Sequence, residues 1–195
     1  MAKAFDNYEI WWITGAQLLY GGDAVVAVDG HSKEMVDGLN KSGNIPVKIV
    51  YKGTANSSKE VETLMKAANN DEKCVGVITW MHPFSPAKMW IHGLQQLRKP
   101  LLHFHTQYNE EIPWDTMDMD FMNLNQSAHG DREFGHICAR LRLRRKDRQA
   151  QRKQHRWLWA TGKTPRLSST LRYGPAWPQL GPTLKTCSSS VSATR

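Results

Sequence analysis

Short apolar runs alternate with amphipathic stretches along the first half of the chain. Residues 8–14 are aromatic and β-branched and end at Gly15, which is typical of a buried strand. The same patterns predict further strands at 46–51, 74–80 and 100–105, and helices at 23–39, 57–68 and 89–97. Strands and helices that alternate with short connections predict an α/β fold, an open parallel sheet with helices on both faces.

Residues 107–138 depart from this alternation, because polar groups there are interspersed with apolar ones. A helix is predicted to start at Asn125 or Ser127 and to carry His129 and Phe134. Gln126 and His129 are three residues apart, and they share a helical face if the helix has begun by Gln126.

The character of the chain changes after Arg140, where no apolar period is visible. Residues 1–138 hold 12 basic and 17 acidic side chains, a net charge of −5, whereas residues 139–195 hold 14 and 1, a net charge of +13. We therefore expect a folded domain over 1–146 and an irregular or disordered basic tail over 147–195. A basic tail on an acidic domain also suggests an arm that binds polyanions, so an RNA-binding or sugar-binding module without catalysis is the alternative interpretation.

Several protein classes are disfavoured by composition. No apolar run is long enough for a membrane span, and the first residues carry acids where a signal peptide would be apolar, so we expect a soluble, cytoplasmic protein without a membrane partner. Cys74, Cys138 and Cys187 lack the spacing of a zinc site or a disulfide framework. They are expected to be reduced and mostly buried.

The chain contains only incomplete versions of nucleotide-binding and metal-binding motifs. The glycines that follow the first strand do not fit a dinucleotide fingerprint, and Trp157 stands where a phosphate-binding loop would need its first glycine. His103 and His105 share one face of a strand and are interpreted as a core pair. The acids around Asp118 lack the rest of a calcium loop and are expected to be solvated or to cap a helix.

Polar side chains near predicted strand and helix ends indicate a small polar-ligand pocket. These are Gln17, His82, His105, Gln126 and His129. A sugar would suit them, because amides and imidazoles both donate to and accept from hydroxyls. Three aromatic residues are expected to pack against the apolar side of such a ligand, namely Trp12, Trp80 and Phe84.

Long strings in this chain resemble the L-arabinose isomerase family. They are Phe5-Asp-Asn-Tyr-Glu-Ile-Trp, Gly15-Ala-Gln-Leu-Leu-Tyr-Gly, Trp80-Met-His-Pro-Phe-Ser-Pro, Lys99-Pro-Leu-Leu-His-Phe-His and Ile112-Pro-Trp-Asp-Thr-Met-Asp-Met-Asp-Phe-Met-Asn-Leu-Asn-Gln-Ser-Ala-His-Gly. The resemblance covers about residues 5–145 in the correct order. It implies a flavodoxin-like domain of a cytoplasmic bacterial enzyme that interconverts L-arabinose and L-ribulose.

The resemblance also implies which residues contact the substrate, as well as a metal and an assembly. The substrate-binding residues are expected to be Gln17, Leu19, Tyr20, Phe84, Gln126 and His129. The family uses Mn²⁺ and forms homotrimers or hexamers in which this domain closes a neighbouring subunit's active site, without nucleic acid. Its metal-binding glutamates and histidines lie beyond residue 195, so no catalytic or metal-binding residue is assigned here. This chain is predicted to be an inactive fragment.

The tail departs from the family in a specific way. Arg156-Trp-Leu-Trp-Ala-Thr-Gly-Lys-Thr-Pro-Arg permits codons that, read in another frame, give Val-Val-Val-Gly-Tyr-Trp-Lys-Asp-Pro-Glu, the strand expected in the family. We therefore hypothesise that residues from about 147 onward are a frameshifted translation. The basicity of the tail is then an accident of the reading frame.

Overall fold

The computed structural model describes residues 5–109, 111–141, 143 and 157–159. The strands are β1 (Glu9–Gly15), β2 (Lys48–Ala55), β3 (Cys74–Met81), β4 (Leu101–His105) and β5 (Trp157–Trp159). The helices are α1 (Gly22–Lys41), α2 (Ser58–Asn70), α3 (Ile91–Gln96), α4 (Met119–Leu124) and α5 (Ser127–Arg140), with 3₁₀ turns at Leu18–Tyr20 and Ala87–Trp90.

All neighbouring strands pair in parallel, and their order across the sheet is β2-β1-β3-β4-β5. This is the strand order of flavodoxin-like sheets. The chain moves from β1 outward to β2 and then returns past β1 to β3, so the direction of winding changes between β1 and β3. The predicted α/β open parallel sheet is confirmed.

Side chains alternate between the two faces of the sheet and build a core on each. In β1, Trp12 packs with Met35 and Leu39 of α1, whereas Trp11 and Ile13 pack on the opposite face with residues of α2, α3 and α5. Because both faces are covered, the inner strands β1, β3 and β4 are buried almost along their whole length, which produces the continuous apolar runs in the sequence, whereas β2 is mostly half-buried.

Some element boundaries differ from the predicted ones. Strand β2 continues to Ala55 instead of ending at residue 51, passing through Gly53, whose φ of 131° suits glycine. The predicted helix at 89–97 is a 3₁₀ turn followed by the six-residue α3. Helix α4 was not predicted; it has no buried residue, so it leaves no apolar period to detect.

Local capping explains two helix starts. Ser57 caps α2 by accepting a hydrogen bond from Glu60 N, as its position in the sequence predicts. Asp118 caps α4 by accepting a hydrogen bond from Phe121 N at 2.8 Å. Its predicted capping role is confirmed.

The predicted irregular tail contains one described segment. Trp157–Trp159 forms β5, which pairs with β4 through His103↔Trp157, Phe104↔Leu158 and His105↔Trp159. These three residues are regular, unlike the irregular tail expected from the sequence. The other tail residues, Cys187 among them, lie outside the described residues.

The expectations for membrane helices and for cysteines can be compared with the structure within the described residues. None of the helices in that part of the chain has both the length and the apolar character that a membrane crossing requires. Cys74 and Cys138 are free and buried, as predicted. Burial raises the pKa of Cys74 to about 11 and that of Cys138 to about 12, so both thiols stay protonated at neutral pH.

Candidate functional site

The crevice between the C-terminal ends of β1 and β3 is where flavodoxin-like sheets place their ligands, because the connections leave these two strands toward opposite faces. The loop after β1 carries Gln17, Leu19 and Tyr20, and the loop after β3 carries Phe84. Four of the six predicted site residues therefore flank this crevice.

The loop after β1 is anchored at its start and open at its tip. Ala16 is buried, and its amide donates a hydrogen bond to Ala55 O at 3.1 Å. Gln17 follows in extended backbone and is half-buried. Leu18 and Leu19 are 68% and 81% exposed. The structure therefore presents Gln17 at the edge of the core and Leu19 to solvent, while the side chain of Tyr20 is outside the described set.

The loop after β3 is fastened directly to the end of β1. His82 N donates a hydrogen bond to Gly15 O at 3.0 Å. Trp90 Nε1 donates to the buried Ser85 Oγ at 2.9 Å. A Cβ on Gly15 would lie 2.6 Å from Trp90 Cζ2 and 2.8 Å from Ser85 Cβ, so only glycine fits where the two segments meet.

Helix α5 brings the remaining two candidates to the same place. A Cβ on Gly130 would lie 3.1 Å from Met81 Cβ and 3.5 Å from Phe84 Cδ2, so the start of α5 packs on the end of β3. His129, one residue earlier, is exposed. Gln126 is half-buried, and its Nε2 donates to Asn123 Oδ1 at 3.2 Å.

The condition under which Gln126 and His129 would share a helical face is not met. Helix α5 begins at Ser127, one of the two predicted starts, and Gln126 is its N-cap, with φ −82° and ψ 19°. The two residues therefore do not share a helical face in the expected sense. A backbone hydrogen bond from His129 N to Gln126 O, at 3.1 Å, still holds them in one turn.

The structure contradicts the predicted pocket positions of two tryptophans and one histidine. Trp12, Trp80 and His82 are fully buried, so none of them can line an open pocket. In a sheet that is covered on both faces, an aromatic side chain on a strand points into a core and not beyond the strand end. Phe84, which lies on a loop, is half-buried and remains available to a ligand.

His82 instead belongs to a stacked group on the α1 face. Its ring stacks on Trp80 at 4.2 Å between centroids, and its Nε2 lies 2.9 Å from His31 Nδ1. His31 stacks on Tyr108 at 3.7 Å, and the Tyr108 hydroxyl donates to a Glu34 carboxylate oxygen. Burial, followed by the charge of His31, lowers the pKa of His82 to about 3, so His82 is neutral in the folded protein.

His103 and His105 face the opposite layer, as their spacing predicts, and meet an acid that the sequence interpretation missed. Both imidazoles contact the buried carboxyl group of Asp131 on α5. The buried residues of α5, namely Ser127, Gly130, Asp131, Phe134 and Cys138, follow the helical spacing of a core face. That spacing was the available signal, because it places an acid where an apolar residue is expected.

The described residues offer no metal centre. Within residues 5–109, 111–141, 143 and 157–159, no group of three His, Cys, Asp or Glu side chains is arranged to hold a metal ion. The arrangement at the crevice can bind and orient a polar ligand, since it combines amide, imidazole and aromatic groups.

A cavity of about 530 Å³ lies between the C-terminal ends of α2 and α3. It is lined by Lys66, Asn69, Asn70, Gln95, Gln96, Leu97 and Arg98. None of the six candidate residues contributes to it, so this cavity is separate from the candidate site.

Comparison with known proteins gives a family match over most of the chain. The model of the L-arabinose isomerase N-terminal domain matches residues 4–160, which extends past the predicted domain boundary at 146. L-arabinose isomerase of Phocaeicola vulgatus is 83% identical over 146 residues, covering 75% of this chain and 29% of the relative.

Two further relatives carry the same name. That of Bacteroides thetaiotaomicron is 82% identical over 146 residues, with coverage of 75% and 29%, and that of Clostridium beijerinckii is 63% identical over 140 residues, with coverage of 72% and 28%. The chain thus spans less than a third of the length of these relatives.

Proposed function

The chain belongs to the L-arabinose isomerase family, and from this premise we propose that it supplies the sugar-binding half of an active site that interconverts L-arabinose and L-ribulose in the cytoplasm. The observation that carries the proposal is the meeting of three segments at one crevice. These are the loop after β1 with Gln17, the loop after β3 with Phe84, and the start of α5 with Gln126 and His129.

The chemistry of these side chains suits a pentose. The amides of Gln17 and Gln126 and the imidazole of His129 can each donate to or accept from a hydroxyl. Phe84 offers an apolar surface to the carbon chain of the sugar, and Leu19 and Tyr20 complete the proposed set. Their part is to bind and orient the sugar.

The proposed reaction also requires a metal, for which the described residues do not provide a site. Bound in an enzyme of this kind, Mn²⁺ would polarise the carbonyl and hydroxyl groups of the sugar while acid–base residues move a proton between the two adjacent carbons. No group of described side chains fits such an ion. We propose neither a metal-binding nor a proton-transfer role for the described residues, and the inactivity of this chain alone stays a prediction.

We further propose that the open side of the site is completed by another subunit, in a homotrimer or hexamer. Leu18 and Leu19, at the tip of the loop after β1, are mostly exposed and adjacent in the chain, so they offer an apolar surface for a neighbouring subunit. A site formed from two subunits would explain why this half is open.

The tail remains the least family-like part, and we propose that it is a frameshifted translation that follows a domain ending near residue 146. The position of β5 supports this idea. In the shifted reading, codons permitted for residues 156–159 give Val-Val-Val, a β-branched run typical of a buried parallel strand, at the position where β5 lies. Codons in the coding DNA that do not permit the shifted reading would end this proposal.

Sugar binding is tested by titrating the ¹⁵N-labelled 195-residue chain with L-arabinose and recording amide shifts. We expect weak, concentration-dependent shifts at Gln17, Phe84, Gln126 and His129, and smaller ones with D-arabinose, the mirror-image sugar. Gln126→Ala should abolish the response, whereas Gln96→Ala, at the opposite edge, should leave it intact. Equal responses to both sugars, or shifts confined to the cavity around Lys66 and Arg98, would contradict the proposal.

A coupled assay tests the expected inactivity. The purified chain supplied with L-arabinose and MnCl₂ should form no L-ribulose. Detectable conversion would contradict the expected inactivity of this chain.

A further inference from the structure

Asp131 is a buried acid that joins the helix of the proposed site to the sheet. Its Oδ1 lies 2.7 Å from His103 Nε2 and its Oδ2 lies 3.0 Å from His105 Nε2, and its side chain is 0% exposed. His103 and His105 alternate with Phe104 along β4, so both rings face α5. One carboxyl group therefore bridges two positions of the strand.

We propose that Asp131 is a positioning residue for the sugar site: held between His103 and His105, its carboxyl group fixes the second turn of α5 on β4 and thereby sets the placement of Gln126 and His129 in the preceding turn. The inference rests on the proposed function for the role of those two residues. Asp131 itself does not touch the sugar, because its side chain is fully buried.

The contacts around α5 explain why the Asp131 carboxyl group affects the position of the first turn of the helix. Gly130 packs against Met81 and the loop that carries Phe84, and Ser127 is buried. Phe134, one turn further on, stacks on His103 with ring centroids 4.5 Å apart. The bridge therefore lies between the site residues and the apolar part of the helix.

A neutral carboxyl group accounts for the bridge better than a buried ion pair. Burial raises the pKa of Asp131 to about 9. Burial, followed by the charge of His105, lowers the pKa of His103 to about 3; burial, followed by the charge of Arg132, lowers that of His105. All three groups are then uncharged at neutral pH, which avoids the cost of desolvating separate charges.

The neutral form also gives each proton an acceptor. His103 Nε2 lies 2.7 Å from one carboxyl oxygen and His105 Nε2 lies 3.0 Å from the other, so a neutral Asp131 can donate its proton to His103 and accept one from His105 after a small adjustment of angles. His103 then carries its own proton on Nδ1, which lies 3.3 Å from Thr79 Oγ1 on β3. This arrangement predicts opposite tautomers for the two histidines.

Among the described residues, few other charged groups lie near the Asp131 carboxyl group and the two imidazoles. On β4 the titratable neighbours are His103 and His105. The neighbours on β3, Thr79 and Met81, carry no group that titrates between about pH 4 and 9. Arg132 on α5 acts on His105. Glu133 turns toward the 3₁₀ segment, where its carboxylate accepts a hydrogen bond from Ala87 N at 3.4 Å, and Lys88 of that segment is exposed.

The proton linkage has a definite sign. Between the ordinary value of 3.8 and about 9, folded Asp131 holds a proton that the unfolded chain has lost, so stability falls as pH rises through this window. The two histidines oppose this below pH 6.5, because their lowered pKa values make stability rise with pH there. Above 6.5, Asp131 is the member of the bridge that sets the slope.

The test compares the 195-residue wild type with Asp131→Asn and Asp131→Leu. Asparagine reproduces the neutral acid, because its amide can donate to His103 and accept from His105 without titrating. Leucine has a similar size but makes neither contact. Urea unfolding from pH 6.5 to 9, amide hydrogen exchange of α5, and the resonances of Gln126 and His129 are measured for all three.

The expected result separates the variants. The wild-type folding constant should fall with pH, by up to about tenfold per unit, and that of Asp131→Asn should not share this decline. Asp131→Leu should speed exchange in the first two turns of α5 by roughly tenfold or more and shift Gln126 and His129, while Asp131→Asn stays within about threefold of wild type.

Two results would overturn the inference. One is a decline with pH that is the same in wild type and Asp131→Asn; the other is that Asn and Leu disturb α5 equally or leave it equally undisturbed. None of these readouts requires sugar, so a failed L-arabinose titration with the expected α5 behaviour would overturn the proposed function and not the bridge.

Discussion

Helices α1 and α5 both begin at the proposed sugar site, but they are held there differently. In α5 the first residue, Ser127, is already buried, and Gly130, Asp131 and Phe134 continue the buried face. In α1 the first buried residue is Val28, six residues after the helix begins at Gly22. The α5 side of the site is therefore built into the core, whereas the α1 side projects from it.

The difference in burial indicates that the two sides of the proposed site have different roles in binding. The α5 side is preorganised, so Gln126 lies in place before a ligand arrives, which lowers the entropy cost of binding. The loop that leads into α1 exposes Leu18 and Leu19 and is suited to being ordered by contact with sugar or another subunit. Substitutions on the two sides should accordingly have unequal effects on stability.

The largest effect is expected where α5 enters the core. Phe134 is fully buried and packs against Trp90 and His103. Phe134→Ala should lower the free energy of unfolding by about 3–5 kcal/mol, because it removes a buried ring and leaves a cavity. Leu19→Ala, on the α1 side, should stay within about 0.5 kcal/mol. Urea unfolding measures both changes in the free energy of unfolding. Similar decreases in the two variants would contradict the difference between the α5 side and the α1 side.

A smaller loss is expected at the junction of the two sides. Gly15→Ala would force a Cβ against Trp90, Ser85 and Met81, all within 2.9 Å, and should cost about 1–3 kcal/mol by overpacking. Gly30→Ala, in the exposed part of α1 with nothing within 4 Å, should instead stabilise by about 0.5–1 kcal/mol. Thermal unfolding of the pair distinguishes the two, and a stabilised Gly15→Ala would show that the junction is loose.

The smallest effect is expected from the polar contact between α1 and the segment after β4. Tyr108→Phe keeps the stacking on His31 but removes the hydrogen bond to Glu34 on the surface. The cost should be about 0.5 kcal/mol, since exposed hydrogen bonds exchange with water at little net loss. A loss well above this in urea unfolding would mean that α1 is held more firmly than its burial indicates.

The fold was predictable because its strands are buried on both faces and its helices carry apolar faces. Four strands and the start of α5 at Ser127 follow from those patterns. Helix α4 did not, since it buries nothing, and β2 was cut short because residues 52–55 are polar or small. These misses arise where burial is absent or one-sided.

The site was predictable only in part, for two physical reasons. The resemblance named loop residues, and the structure brings the segments that carry them to one crevice, although their sugar-binding role remains a prediction. Trp12, Trp80 and His82 were wrongly assigned, because a residue near a strand end can still face the core. The spacing of α5 places Asp131 on the core face, but the two histidines that accommodate a buried acid lie on another element, β4, so the acid was not interpreted as part of the core.

Native-state hydrogen exchange of the 195-residue chain tests the contrast between the two sides most directly. Amides in the second turn of α5, around Asp131 and Arg132, should exchange only through global unfolding, whereas amides in the first two turns of α1, before Val28, should exchange faster through local opening. Equal protection of the two helix starts, or faster exchange at α5, would contradict a site with one preorganised and one open side.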